Sequence, residues 1–245
     1  MKSLVKLLSL SMLFCWLLGC GAPAQDTTPT TLPTAPTETQ LTYPTPDKRI
    51  ALTFDDGPNR HMGAIIDTLA QYDAKASFFI IGNRTSESNA HYILQAYQAG
   101  HEIGNHSYCH EDMTTKTDDE VLEDILQCQT LVEQITGTAP RWFRAPFLRT
   151  SQTLYSLVEM PFAGCSVNSG DGSNDNLALD RHYKVVNGAH DGAIVLLHCN
   201  DITAGVLPQI LHDLKMAGYE FVTITELFGG TPPAPSQTYK QAGTN

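Results

Sequence analysis

Short apolar, β-rich runs alternate with longer stretches of helical period along the middle of this 245-residue chain. The runs are Arg49–Phe54, Ala76–Ile81, Glu102–Gly104, Trp142–Arg144, Phe162–Val167, Ala193–Leu197 and Glu220–Val222. Between them the helical period is clearest at Leu122, Ile125, Cys128, Val132 and Ile135, spaced by threes and fours. Thr117 and Glu120 form a capping box at the start of that helix. Strands that alternate with helices pair in parallel through crossover helices, so the fold class is α/β. Seven such units predict a closed or nearly closed barrel; periodicity alone also admits an open doubly wound sheet.

In folds of this kind the chemistry collects where strands run into loops. Polar residues of this chain stand at those points: Asp55-Asp56 after the first run, Asn105–His110 after the third, Arg144 at the fourth, Asp171 after the fifth and His198 after the sixth. Residues from distant segments are therefore expected on one rim, which is where a site belongs.

The ends of the chain read differently. Residues 1–19 resemble a bacterial signal peptide, with Lys2 and Lys6 ahead of an apolar run over Leu7–Leu18. That run is short for a membrane span, which needs roughly 20 apolar residues. It ends in Leu17-Leu18-Gly19-Cys20, which resembles a lipobox; Cys20 is expected to take lipid and become the new N-terminus, anchored to a membrane outside the cytoplasm, with an ordinary cleaved signal peptide or an uncleaved anchor as the alternatives. Residues 20–47, rich in Thr and Pro, are expected to form a flexible tether. The folded domain is expected over 48–229 and a disordered tail over 230–245. The net charge is −11, and losing residues 1–19 with their two lysines makes it more negative still. No basic run tracks phosphates, which argues against nucleic acid as a partner. Four cysteines remain in the domain, Cys109, Cys128, Cys165 and Cys199. None has the CxxC spacing of a structural zinc site, and outside the cytoplasm they are able to pair. A Cys165–Cys199 bridge is predicted from their places near the ends of consecutive strands, leaving Cys109 with Cys128.

Two motifs carry chemistry. Asp55-Asp56-Gly57-Pro58 puts two carboxylates at a strand end; alone it fits a solvated turn as well as a site. Neighbours on an extended chain point in opposite directions, so one carboxylate can meet a metal while the other meets substrate. His106 and His110 are four residues apart, a spacing that on one helical turn lets both chelate a single ion. Two imidazoles and a carboxylate leave coordination positions open for water, which suits hydrolytic zinc and also ferrous iron.

The order of these motifs resembles the polysaccharide deacetylases, also called NodB-homology proteins or family 4 carbohydrate esterases. The residues that carry the resemblance are Thr53-Phe54-Asp55-Asp56-Gly57-Pro58, Ala76-Ser77-Phe78-Phe79, Gly100-His101-Glu102-Ile103-Gly104-Asn105-His106-Ser107-x-x-His110, Arg144-x-Pro146-Phe147 and Leu196-x-His198, spread over roughly residues 48–228. The resemblance implies a distorted (β/α)7-type barrel and removal of acetyl groups from glycans. It implies Asp55 as general base, Asp56, His106 and His110 as metal ligands, and Arg144 as the partner that holds the base. It further implies that Phe147, after Pro146, lends a backbone N–H to the oxyanion, that His198 is the general acid, and that Leu196 lines the acetyl pocket. The implied cofactor is a divalent ion, zinc first, with cobalt, nickel, manganese or iron compatible. The implied partners are an acetylated glycan and, through the lipid, a membrane.

The chain departs from the family pattern at its fourth motif. Where the family has Asp-x-x-Asp-Trp, this chain has Asn168-Ser169-Gly170-Asp171-Gly172, keeping the second Asp as partner of the acid histidine and losing an indole wall. Phe147 replaces a more usual Tyr. These changes bear on substrate choice and catalytic strength. The preferred activity is N-deacetylation of N-acetylglucosamine-containing glycan, peptidoglycan or oligosaccharide, at the cell envelope. An O-acetyl esterase using the same site and a weakly active or inactive glycan-binding lipoprotein are the alternatives. His61, His91, His101, His182, His190 and His212 are read as surface or packing residues.

Overall fold

The computed structural model describes residues 43–172 and 178–243. Its centre is β1 (Lys48–Gly57), buried on both faces as a parallel strand must be when helices cover one side. Ile50, Leu52 and Phe54 point into an outer core against the helices; Ala51 points inward, with Phe79, Trp142, Ala163 and Ile194. The outer core is closed by α1 (Arg60–Gln71), through Met62, Ile65 and Leu69, and by α6 (Asp201–Met216), through Leu207, Ile210 and Leu214.

On one side β1 pairs in parallel with β2 (Ser77–Ile80), followed by β3 (Glu102–Asn105). Helix α2 (Ala90–Gln98) connects them. On the other side β1 pairs with β6 (Ala193–His198) over Ile50–Asp55. β7 (Tyr219–Phe221) pairs with the first residues of β1, ahead of α7 (Ile224–Leu227). Beyond β3, the long α3 (Asp118–Thr136) starts at the predicted capping box, Thr117 with Glu120, and α4 (Gln152–Leu157) follows.

The remaining predicted strands are shorter than expected. Trp142–Arg144 shrinks to a single bridging residue, Phe143, between Asn105 and Phe162. The predicted Phe162–Val167 strand breaks into β4 (Phe162–Ala163), beside Phe143, and β5 (Val167–Asn168), beside β6. The break has a cause: the Arg144 guanidinium takes the carbonyls of Ala163 and Gly164, at 3.0 and 2.9 Å. Because the two halves face opposite neighbours, this broken strand closes the ring β1, β2, β3, Phe143, β4–β5, β6. The result is a distorted α/β barrel. Helix α5 (Ala178–Gly188) lies between β5 and β6 in the chain.

Two expectations are corrected. The tail is not disordered after residue 229: β8 (Thr238–Tyr239) adds to β4, and Gln241 bridges Ala193. The polar, Pro-rich composition concealed that β4 offers an unpaired edge and that the Tyr239 ring packs on Trp142 and Phe228. The cysteines are the second correction, since all four are free thiols. The β5–β6 register, Val167 opposite Val195, sets Cys165 level with Ala193. Cys199 lies six residues further along, about 20 Å on a strand, whereas a disulfide spans Cα atoms about 4.4–6.8 Å apart. Cys128 is in the core, its thiol pushed up to about 12 by burial and donating to the Ile80 carbonyl at 3.3 Å, while Cys109 is exposed.

Among the described residues no helix is long and apolar enough to cross a membrane. The signal peptide, Cys20 and most of the tether lie outside the described residues.

Candidate active site

The site is built where β1, β3 and β6 end, and the backbone there is unusual. Of seven non-glycine residues with positive φ among those described, five belong to its segments: Asp56, Ser107, His110, Phe147 and Leu148. Left-handed backbone costs an L-residue about 1–2 kcal/mol, so it persists where surroundings enforce it, and functional sites are such places.

Asp56 illustrates the effect. With φ at 70° and a register shift between Phe54 and Gly57, it does not simply point away from Asp55 as a flat strand would require. Both carboxylates instead meet the His106 imidazole, Asp55 Oδ2 and Asp56 Oδ1 each standing 3.6 Å from its Nε2. Asp56 Oδ1 is also 3.4 Å from His110 Nε2. The two histidines are not on a helix. Ser107 and His110, with φ of 68° and 56°, turn the loop after β3 so that both rings converge.

That loop is tied down from beneath. Asn105 Oδ1 accepts the Ser107 N–H, Ser107 Oγ accepts the His110 N–H, and the buried Asp124 carboxylate accepts the Tyr108 and Cys109 N–H groups at 2.6 and 2.9 Å. Asp124 went unnoticed in the sequence. Its signal was there: a carboxylate on the core-facing stripe of α3, among Val121, Ile125, Cys128 and Val132. Arg84 was also missed; from the turn after β2 it reaches Asp56 Oδ2 at 3.2 Å.

The residues fit a divalent cation. One ligand atom each from Asp56, His106 and His110 lie within 4.8 Å of one another. The carboxylate-to-imidazole separations of 3.6 and 3.4 Å match the ~3.4 Å edge of a tetrahedron with bonds of about 2.0–2.1 Å. Asp56 Oδ1 is buried without a hydrogen-bond partner, although it faces both rings. His106 Nδ1 lies 2.7 Å from the Arg144 carbonyl, which only accepts, so Nδ1 carries the proton and Nε2 presents its lone pair. Burial lowers the pKa of His110, with His106 and Arg84 adding to the effect, and so favours the neutral form that ligates.

On one flank Arg144 is fully buried, its Nη1 donating to Asp55 Oδ1 at 2.7 Å and to Thr53 Oγ1 at 2.8 Å. On the other flank His198, at the end of β6, places Nδ1 2.7 Å from Asp171 Oδ1. Asp171 also accepts from the His198 N–H, Ser169 Oγ and Thr203 Oγ1. Burial alone would lower the His198 pKa; the Asp171 hydrogen bond and the nearby carboxylates of Asp55, Asp171 and Asp56 outweigh it and hold the imidazole above its ordinary value. Asp171 is the mirror case: burial opposes ionisation, and His198, Thr203 and Ser169 prevail and lower its pKa.

Between the flanks is a cavity of about 360 Å³ whose lining includes Asp55, Asp56, His110, Phe147, Leu196 and His198. Pro146 is buried at the start of a short turn, Pro146–Leu148, in which Phe147 and Leu148 are both left-handed. The Phe147 ring packs edge-on against His110 at 4.9 Å. Gly172 lies against the imidazole of His198: a Cβ there would stand 2.8 Å from its Cε1, so any side chain at 172 needs the ring or loop to shift. His101 is outside the site, packed on Phe78 with its pKa pushed down to about 4 by burial and by Lys75.

Comparison with known proteins gives the family. The polysaccharide deacetylase family profile matches residues 42–162. The chain is 36% identical over 196 residues to a bifunctional xylanase/deacetylase of Pseudobutyrivibrio xylanivorans, covering 79% of this chain and 32% of that protein. It is 38% identical over 185 residues to a peptidoglycan-N-acetylglucosamine deacetylase of Listeria monocytogenes, covering 75% of this chain and 39% of that protein. The chain thus spans about a third to two-fifths of these curated relatives. Among solved structures, a family 4 acetyl xylan esterase from Clostridium thermocellum, in complex with a cobalt ion, superposes with a TM-score of 0.77 at 37% identity, covering 80% of this chain and all of that one. With the motifs, the barrel and relatives of this identity and coverage in agreement, the chain belongs to the polysaccharide deacetylase family.

Proposed function

We propose that this chain is a metal-dependent hydrolase that removes N-acetyl groups from N-acetylglucosamine-containing glycans at the cell envelope. The observation that carries the proposal is the convergence on one cavity of the Asp56, His106 and His110 ligand atoms, the Arg144-held carboxylate of Asp55 and the His198–Asp171 pair. A binding module has no use for a base and an acid on opposite sides of a cation site. The relative named as a peptidoglycan-N-acetylglucosamine deacetylase supports the substrate class.

Asp56, His106 and His110 would hold the ion, zinc in the first instance; cobalt stands in the complex of the similar esterase. When bound, such an ion supplies Lewis acidity, acidifying water and polarising the acetyl carbonyl. Asp55 accepts the proton of the attacking water. Arg144 fixes its rotamer, so that no reorganisation precedes the transfer. The oxyanion faces the Pro146–Leu148 turn, where the Phe147 N–H is the donor, and Leu196 bounds the acetyl methyl. His198, whose protonated form Asp171 favours, gives its proton to the departing amine. Acetate and a free amino sugar leave. The same reading keeps the protein outside the cytoplasm, held to the membrane by lipid on Cys20.

An O-acetyl ester needs the same base and an easier leaving group, and the similarity to an acetyl xylan esterase favours that as the second reading. Acetate release from matched N-acetylated and O-acetylated glycans, with and without added zinc or cobalt, decides. Release from the N-acetylated set is expected; release from the esters alone would replace the first reading with the second, and release from neither would sink both.

A further inference from the structure

The cavity of Asp55 and His198 has a neighbour across the Pro146–Leu148 turn. Ala145 and Leu148 line the first cavity and also line this second one, of about 390 Å³, with Thr150, Tyr155, Phe162, Cys165, Thr238 and Lys240. The surfaces of this second cavity suit a sugar ring. Tyr155, half-buried, brings an aromatic ring to the wall, held edge to face on the buried Phe162 at 4.8 Å. The Tyr155 hydroxyl, 2.6 Å from Thr238 Oγ1 and 3.0 Å from Thr150 Oγ1, gathers three hydroxyls that can donate and accept.

Lys240 is positioned by the fold. The Gly164 N–H donates to the Tyr239 carbonyl at 2.8 Å, and a Cβ on Gly164 would stand 3.0 Å from Lys240 Cγ and 2.7 Å from Thr238 Cγ2. Glycine is therefore required at 164 for the final segment to lie where it does, and the lysine stem rests on that glycine with its ammonium exposed. Among the described residues lining the two cavities Lys240 is the only lysine or arginine, and it makes no ion pair with any other described residue. Nearby Arg149, in contrast, is paired with Asp112. In a chain of net charge −11, Lys240 puts one unpaired positive charge on the wall of the cavity next to that lined by Asp55 and Asp56.

Resting on the deacetylase reading, we infer that this second cavity is a subsite for the glycan unit adjacent to the acetylated one, and that Lys240 selects a unit bearing a carboxylate. A lactyl ether on an amino sugar and a uronic acid both present that group. The test uses the full chain with its metal and three matched acetylated oligosaccharides: neutral, lactyl-substituted and uronate-containing. Lys240→Gln keeps the stem that packs on Gly164 and removes the charge. The loss in kcat/KM is expected to be about fivefold greater on a carboxylate-bearing substrate than on the neutral one, as for one exposed ion pair, and to appear in KM. Lys240→Glu should widen the ratio, and added salt should narrow it in the wild type. The acidic substrate that responds identifies the source of the carboxylate. Equal losses on all three substrates would overturn the inference. Calorimetric binding of the same oligosaccharides without acetyl groups separates the two levels. Lys240-dependent binding without acetate release would refute the activity and leave the subsite standing; Lys240-independent binding would refute the subsite.

Discussion

Arg144 offers the sharpest test of how the site is held. Its guanidinium is fully buried and donates to Asp55, Thr53 and the carbonyls of Ala163 and Gly164, while its Cζ stands 4.2 Å from the centre of the Phe79 ring. Arg144→Met preserves most of the bulk and removes every donor. Asp55, only 3% exposed, is left as a buried carboxylate without its counter-charge. Removing one partner of a buried pair costs about 3–5 kcal/mol, because the survivor keeps its desolvation penalty. At about 2–4 °C per kcal/mol for a domain of this size, the melting temperature should fall by roughly 6–20 °C. Thermal and urea unfolding should be followed after chelator treatment, so that no cation takes over the role of the guanidinium. Adding Asp55→Asn removes the stranded charge and should restore about 1–3 kcal/mol, the coupling of the pair. A single variant that loses less than about 1 kcal/mol, or a double variant no more stable than the single, refutes the reasoning.

His198→Ala should be severely impaired on N-acetyl glycans and far less so on an aryl acetate, whose phenolate needs no proton; general acid help is typically worth about 10²–10⁴-fold. Equal losses on both substrates would assign His198 to the oxyanion or to positioning. Asp171→Asn removes the carboxylate that holds His198 up against the lowering effect of burial, so the alkaline limb of kcat/KM should move to lower pH. The stability this pair contributes is present below the ordinary imidazole value of about 6.5 and is lost as pH rises through the raised folded value. The stability gap between wild type and Asp171→Asn should therefore narrow on the alkaline side, and a pH-independent gap would contradict the pairing. Cys20→Ser should release the protein from the membrane fraction or leave an unprocessed precursor; unchanged processing and membrane association would refute the lipid anchor.

What was legible in the sequence had strong local patterning. The helix at 118–136 announces itself by its capping box and stripe, and β1 and β6 by continuous apolar runs, as befits strands buried on both faces. The residues the structure gathers at the rim, Asp55, Asp56, His106, His110, Arg144, Asp171 and His198, were all singled out, because chemistry-bearing side chains at strand ends have little packing reason to be there. The geometry that brings them together was not legible. HxxxH is compatible with a helical turn, and the chain here makes a loop with two left-handed residues instead. Asp124 and Arg84 act through contacts distant in sequence, with the loop of residues 108–109 and with Asp56. Composition also misled at the C-terminus, where Thr238–Gln241 owes its order to an edge built some eighty residues earlier. The cysteine pairing failed for a related reason, since strand adjacency says nothing of position along the strand.

In the proposed function Asp56, His106 and His110 form one catalytic cation site. The direct measurement is zinc binding by chelator-stripped protein, by calorimetry and elemental analysis, with acetate release recorded at each addition, in wild type and in His110→Ala. Wild type should take up one equivalent and gain activity in proportion to occupancy, and His110→Ala should lose both. Full acetate release from stripped protein, or equal metal content in the two proteins, would contradict the account.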